Sequence, residues 1–171
     1  PYTPSCSKDI PSWNPDLVIK SPGIAPELPW IQAALKKGLP VVDEIEFAAA
    51  HTQAKLVGIT GTNGKSTTTA LVHHVLESAG LPVRMGGNIG LPILSQAPLP
   101  SGGVYVLELS SYQIDIMHTL ACDAAALINL SPDHLDRYDG YEGYMASKAR
   151  LFEMQMGHET SVFGKGDADT E

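Results

Sequence analysis

The 171-residue sequence predicts an α/β protein with parallel β-sheets, and three observations support this prediction. Short apolar segments alternate with segments whose apolar residues recur at helical intervals. Glycine (16 residues) and proline (13 residues) separate these segments as turn residues. The composition, 43% hydrophobic and 18% charged, is typical of a globular domain. Alternating strands and helices favour a parallel sheet that is covered by helices on both faces.

The N-terminal section, residues 1–50, predicts a strand–helix–strand unit that is part of a Rossmann-like domain. The first strand is 16–20, a helix over 27–37 ends at Gly38, and a second strand is 39–42. Residues 44–51 predict a helix that leads away from this unit. Little sequence precedes the first strand, so we expect the N-terminal part of this domain to be missing.

The second section, residues 51–171, predicts a larger parallel sheet. Its strands are 56–59, 83–85, 104–109, 124–130 and 161–163, and its helices are 66–79 and 141–154. We expect the first of these helices to face the sheet with Leu71, Val75, Leu76 and Ala79. The chain stops soon after the last strand, so we also expect a truncated C-terminus. In such sheets, ligands bind at the carboxyl ends of the strands.

Charge and hydropathy exclude several classes of partner. The chain has 11 Lys and Arg against 19 Asp and Glu, a net charge of −8, which is not the basic surface of a nucleic-acid binder. No apolar run approaches the ~18 residues of a membrane span, and the start is not a secretory signal. Cys6 and Cys122 are interpreted as inert thiols of a reducing cytosol. A phosphate ligand would therefore need a local binding device.

The segment Gly61–Thr67, GTNGKST, lies between a predicted strand and a predicted helix. Its glycines allow backbone N–H groups to approach a phosphate closely, and the helix N-terminus adds partial positive charge. Lys65 can reach the outer phosphates, and the Ser66 hydroxyl can ligate Mg²⁺. The match is to G-x-x-G-K-S, because Ile59 occupies the first glycine position of the longer P-loop pattern. The alternative is a glycine-rich turn before a capped helix.

Two further predicted strand ends carry candidate metal ligands. Glu108 ends the strand VYVLEL, where a carboxylate can bind a nucleotide-bound Mg²⁺, although a solvated acid is the alternative. His134 follows the strand that ends at Leu130, in the loop SPDHLDRYDG. From residue type alone, a capping Asp and a packing His are at least as well supported there.

The residues alone do not decide whether Lys148 and the loop Gly86–Pro92 have a functional or a structural role. Lys148 shares a helical face with Tyr144 and Leu151, and a solvated lysine with a buried stem is the simpler interpretation. Asn88 in GGNIGLP offers a donor and an acceptor to a polar ligand, but Asn is also a common turn residue.

Five segments, in this order, resemble the Mur ligase family: GTNGKST, GGNIGLP, LELSSYQ, SPDHLDRY and YMASKARLFE. DLVIKSPGI is also similar to the N-terminal domain of that family. GGNIGLP and DHLDRY most resemble the members that add D-glutamate to UDP-N-acetylmuramoyl-L-alanine in peptidoglycan synthesis. The resemblance runs from about Asp16 to the C-terminus.

The resemblance implies ATP-dependent formation of an amide through an acyl phosphate. It implies that Lys65, His134 and Lys148 are catalytic, that one Mg²⁺ binds Ser66 and Glu108, and that a second binds His134 and Lys148. It also implies that Lys148 is carbamylated, which turns a cation into an anionic oxygen ligand. The phosphates of ATP would be held by Gly61, Thr62, Asn63, Gly64, Lys65, Ser66 and Thr67. Asn88 and Gln113 would contact the muramoyl substrate, with Gly23 near its uracil end.

Members of this family are longer and have three domains. We therefore expect a fragment, with residues 1–50 from the UDP-substrate-binding domain and residues 51–171 from the central ATP-binding domain. We expect the fragment alone to form no amide and to bind nucleotide weakly, and the whole protein to be cytoplasmic and monomeric. The alternatives are another Mur-type ligase, a folylpolyglutamate synthase, or a stand-alone P-loop nucleotide-binding module.

Overall fold

The computed structural model describes residues 15–21, 24, 27–165 and 169–170. The predictions for Cys6 and Gly23 concern residues outside these ranges.

The N-terminal unit is a parallel pair of strands joined by a helix, as the sequence predicts. Strand β1 (Val18–Lys20) pairs with β2 (Val41–Asp43), and helix α1 (Pro29–Lys36) connects them. Proline at the first position suits the start of α1, because that N–H has no helical partner. Helix α2 (Glu44–Ala49) follows β2 directly, and the Asp43 carboxylate caps it by accepting the Ile45 N–H at 2.8 Å.

The second unit is a five-stranded sheet in the order β4-β5-β3-β6-β7, and all of its strand pairs are parallel. Because β3 is central, the segment that follows it lies between the carboxyl ends of β5 and β6. This confirms the predicted parallel α/β sheet. The strands are β3 (Lys55–Thr60), β4 (Val83–Gly87), β5 (Val104–Glu108), β6 (Ala124–Leu127) and β7 (Thr160–Phe163). The helices are α3 (Lys65–Ser78), α4 (Ser111–Ile114) and α5 (Gly140–Glu153), with a 3-10 helix at Ile93–Ser95.

Apolar side chains cover both faces of this sheet. On one face, Leu151 of α5 and Ile45 of α2 join a core with Leu107 and Leu109 of the β5 region. On the other face, α3 packs on Ile59, Val104 and Val106. Helix α2 is therefore packed on the second unit, although it follows β2 of the first.

The predicted face of α3 was wrong for Leu71 and Val75 and right for Leu76. Leu71 and Val75 are 59% and 56% exposed, whereas Thr69 is buried and Val72 and Leu76 pack against the sheet. The helix begins at Lys65, directly after Gly64. The sequence pattern also missed the short helix α4 and the 3-10 helix.

Cys122 is buried, and burial raises the pKa of its thiol to about 12, which fits the predicted inert thiol. In the part of the chain that the structure describes, no helix has the length and apolar character needed to cross a bilayer.

Candidate phosphate-binding and metal site

In the segment Gly61–Thr67, residues 61–64 form a tight loop, and Lys65, Ser66 and Thr67 form the first turn of α3. Gly61 has a φ of +148° and Gly64 a φ of +81°, a region that favours glycine. Gly64 is the N-terminal cap of α3, with no side-chain hydrogen bond to the helix. The first N–H groups of a helix have no intrahelical partner, and the helix dipole makes this end attractive to anions. The loop therefore has a backbone construction that suits a phosphate, and phosphate binding by these residues stays a prediction.

The loop segment Thr62–Asn63 is bonded to the segment that follows β6. The Thr62 N–H donates to the Asn129 carbonyl at 3.0 Å, and the Asn63 N–H donates to Asn129 Oδ1 at 2.9 Å. These two N–H groups are therefore already hydrogen-bonded, and the N–H groups of Gly64 to Thr67 lie at the helix start. Sequence reasoning missed Asn129, because the predicted strand 124–130 included it. The strand β6 ends at Leu127, and a polar residue after an apolar strand is the signal that could have identified it.

The Lys65 amine folds back over the loop. Nζ donates to the carbonyl oxygens of Gly61 at 3.1 Å and Thr62 at 2.9 Å. Its charge is thereby held at the mouth of the loop, where the outer phosphates of a nucleotide would meet it.

Glu108 is a buried acid, and the alternative of a solvated strand end is excluded. Its side chain is 1% exposed, and Oε1 accepts a hydrogen bond from Asn88 Nδ2 at 2.9 Å. Oε2 is buried and has no hydrogen-bond partner among the described residues. A buried carboxylate oxygen without a donor is unfavourable unless a cation or donor reaches it, so Glu108 is suited to a bound metal ion.

Lys148 is also buried, at 1% exposure, so the solvated-lysine interpretation is wrong. Nζ lies 3.4 Å from Thr60 Oγ1 and 4.6 Å from the centre of the Tyr144 ring. Burial, and then the positive charge of Lys65, lower the pKa of Lys148 to about 8. Thr60 is the last residue of β3, so Lys148 reaches the strand end that carries the phosphate loop.

His134 lies in the loop after β6 and has a positive φ of 51°. Positive φ in a residue other than glycine is a strained conformation that is often found at functional sites. Its Nε2 is 3.6 Å from Asp133 Oδ2, and its ring lies 5.0 Å from that of Tyr112. The imidazole is partly exposed, on the same sheet edge as the phosphate loop.

Gln113 is 1% exposed and caps the short helix α4. Its Oε1 accepts from the backbone N–H and the hydroxyl of Ser110, each at 3.0 Å. The structure thus places Asn88 beside Glu108 and Gln113 in a helix cap, while Gly23 lies outside the described residues.

The site combines three features: a glycine loop before α3, a buried acid at the end of the neighbouring strand β5, and a buried lysine that reaches the end of β3. These features are typical of a P-loop-type nucleotide-binding α/β domain. Comparison with known families places the domain more closely. The family model "Mur ligase middle domain" matches residues 59–170, and the chain belongs to the Mur ligase family. This confirms the family inferred from the five segments.

Curated relatives share the name UDP-N-acetylmuramoylalanine–D-glutamate ligase. The protein of Novosphingobium aromaticivorans is 63% identical over 158 residues, which cover 90% of this chain and 36% of the relative. That of Zymomonas mobilis is 54% identical over 162 residues, covering 90% and 37%. The chain thus spans about a third of the length of these relatives.

Solved structures agree on the fold. The UDP-N-acetylmuramate:L-alanyl-γ-D-glutamyl-meso-diaminopimelate ligase of Neisseria meningitides aligns with a TM-score of 0.59 at 20% identity. The alignment covers 88% of this chain and 52% of that one. At this identity the likeness concerns the fold alone.

Proposed function

We propose that this chain, within the complete gene product, takes part in ATP-dependent addition of D-glutamate to UDP-N-acetylmuramoyl-L-alanine in peptidoglycan synthesis. The name shared by relatives of 54% to 63% identity supports this substrate pair. The observation that carries the proposal is the buried Glu108 carboxylate with one unpartnered oxygen at the sheet edge that also holds the glycine loop. We propose a cytoplasmic, monomeric enzyme that uses small-molecule substrates.

The phosphate loop binds the triphosphate of ATP. Backbone N–H groups at the start of α3 face the phosphates, and the Lys65 amine leaves the loop carbonyls to balance their charge. A carboxylate oxygen of UDP-N-acetylmuramoyl-L-alanine attacks the γ-phosphorus of ATP, ADP leaves, and an acyl phosphate forms. The amine of D-glutamate then attacks the acyl carbon, and inorganic phosphate leaves as the amide forms.

The donor set fits Mg²⁺. In the described residues, no three His, Cys, Asp or Glu side chains gather into a metal site, so protein groups alone would leave such an ion incompletely ligated. Magnesium commonly binds through one or two carboxylates and is completed by phosphate oxygens and water. Ser66 and Glu108 would hold one ion, and His134 and Lys148 a second. When bound, Mg²⁺ neutralises charge that develops on the transferring phosphoryl group.

Carbamylation of Lys148 fits its surroundings. A buried amine whose pKa is lowered to about 8 has a larger neutral fraction near pH 7 than a solvated lysine. The neutral amine nitrogen bonds to the carbon of CO₂ and releases one proton, which leaves an N-carboxylate. This converts a cation beside Lys65 into an anionic oxygen ligand for the second ion.

The muramoyl substrate would extend from this edge toward the N-terminal unit. Asn88 is tied to Glu108 and lies beside the metal position, where it would contact the substrate, as would Gln113. Gly23 would lie near the uracil end. Residues 1–50 would then be the end of the UDP-substrate-binding domain, and residues 51–171 the start of the central ATP-binding domain.

The proposal is tested by amide formation with the complete gene product, each D- and L-amino acid being offered in turn. Lys65→Ala is expected to lower the rate with D-glutamate by about 100-fold or more, because the charge that faces the phosphates is lost. Lys55→Ala is the matched control. Lys55 is exposed and begins β3, so it lies at the opposite end of this strand from the glycine loop. An unchanged rate in Lys65→Ala, or a preference for another amino acid, would overturn the corresponding part of the proposal.

A further inference from the structure

We propose that Asn129 is a positioning residue that holds the phosphate loop in its binding conformation and ties it to the loop carrying His134. The inference rests on the proposed function only in assuming that the loop receives nucleotide phosphates.

The side chain of Asn129 pairs with the backbone of Asn63 in the way that two neighbouring strands pair. Asn129 Oδ1 accepts the Asn63 N–H at 2.9 Å, and Asn129 Nδ2 donates to the Asn63 carbonyl at 3.0 Å. The Asn129 carbonyl accepts the Thr62 N–H at 3.0 Å. One residue therefore satisfies three backbone groups of the glycine loop, one on Thr62 and two on Asn63.

This pairing decides which donors of the loop remain for an anion. With the N–H groups of Thr62 and Asn63 bonded to Asn129, the loop turns so that its free donors begin at Gly64. A side-chain amide is the group that supplies an acceptor and a donor at this spacing; a carboxylate supplies acceptors alone, and an aliphatic side chain supplies neither.

A second contact extends the pairing toward His134. Thr62 Oγ1 donates to the Ser131 carbonyl at 3.2 Å and accepts the Ser131 N–H at 3.0 Å. Ser131 precedes His134 by three residues. Gly61 brings the two segments together, because a Cβ there would lie 3.2 Å from the Asn129 carbonyl oxygen. The phosphate loop and the start of the His134 loop are thus hydrogen-bonded to each other.

Residue-resolved amide hydrogen exchange of the nucleotide-free complete gene product tests the inference without relying on activity. Asn129→Ala is expected to speed exchange of the Asn63 amide by about tenfold or more, because its acceptor is removed. The amides of β3 and β5 should keep their protection. Asn129→Asp keeps an acceptor but loses the donor, so it should preserve more of the Asn63 protection. Asn63→Ala is the matched control for protection, because the side chain of Asn129 bonds to the backbone of Asn63 and not to its side chain.

Titration with MgATP supplies the second readout. Asn129→Ala is expected to weaken MgATP binding by about tenfold, the effect of losing one or two hydrogen bonds that order the loop. Unchanged exchange at Asn63, or unchanged MgATP affinity, would overturn the positioning role. Uniform loss of protection that includes β3 and β5 would also overturn it, in favour of a general stabilising role. If the unmodified protein bound no MgATP, the proposed function would be overturned. The exchange result would still decide whether Asn129 holds the glycine loop in place.

Discussion

Glu108 and Glu46 are both buried glutamates. In each residue, Oε1 is hydrogen-bonded, whereas Oε2 has no hydrogen-bond partner among the described residues. Their surroundings differ. Glu46 Oε1 accepts the backbone N–H groups of His118 and Thr119 and the Thr119 hydroxyl. Glu108 Oε1 accepts one hydrogen bond, from the Asn88 amide, beside the phosphate loop.

The difference teaches how to distinguish a structural carboxylate from one that is ready for a ligand. Three donors from one turn balance most of the charge of Glu46, so it fastens α2 to the sheet unit. One amide donor leaves most of the charge of Glu108 unbalanced, and a cation can supply the remainder. Burial alone does not separate the two cases; the number and origin of the donors do.

The largest effect is expected from Gly87→Ala, which breaks the arrangement around Glu108. Gly87 has a φ of +99°, and a Cβ there would overlap the carbonyl oxygen of Glu108 on the neighbouring strand. The strand ends must separate, so we expect the free energy of unfolding to fall by about 4 kcal/mol. Urea denaturation measures this. Gly80→Ala is the control: φ is +81° but no atom lies within 4 Å of a Cβ, so about 1 kcal/mol is expected. Equal losses would contradict the close approach.

Glu46→Ala tests the structural member of the pair. Three donors lose their acceptor, so we expect the free energy of unfolding to fall by about 3 kcal/mol. MgATP affinity should stay within about twofold, because α2 does not contribute to the phosphate loop. Glu46→Gln keeps the accepting oxygen and should lose about half as much. A large loss of MgATP affinity with unchanged stability would reverse the roles assigned to the two glutamates.

Glu108→Gln should lower activity without lowering stability, which is the opposite of the pattern expected for Glu46→Ala. The side chain keeps its shape and its bond from Asn88, but it loses the charge that attracts Mg²⁺. We expect the amide-forming rate of the complete gene product to fall by about 100-fold, equivalent to about 2.7 kcal/mol. The free energy of unfolding should stay the same or rise, since a buried charge with a single donor is removed. Full activity in this variant would remove Glu108 from the proposed metal site.

The sequence predicts much of this because the relevant signals are local. Alternating apolar segments indicate the parallel sheet, and GTNGKST carries its glycines, lysine and helix start within seven residues. What the sequence missed depends on distant partners. Glu46 meets His118 72 residues away, and Lys148 meets Thr60 88 residues away. The rotation of α3 was mispredicted because Leu71 and Val75 look as apolar as the residues that face the sheet.

Asp43, the third buried carboxylate among the described residues, should show the clearest dependence on pH. Burial raises the pKa of Asp43 from 3.8 to about 6, although the Ile45 N–H opposes the shift. The folded state therefore holds this proton more tightly than the unfolded state, and the free energy of unfolding falls as pH rises from about 3.8 to about 6. Asp43→Asn keeps the helix cap without the charge. Its stability relative to the unmodified chain should rise by about 3 kcal/mol across that window and stay level above it. Asp43→Ala should show the same pH dependence from a lower starting stability, because it also loses the cap. A constant difference across the window would contradict the raised pKa of Asp43.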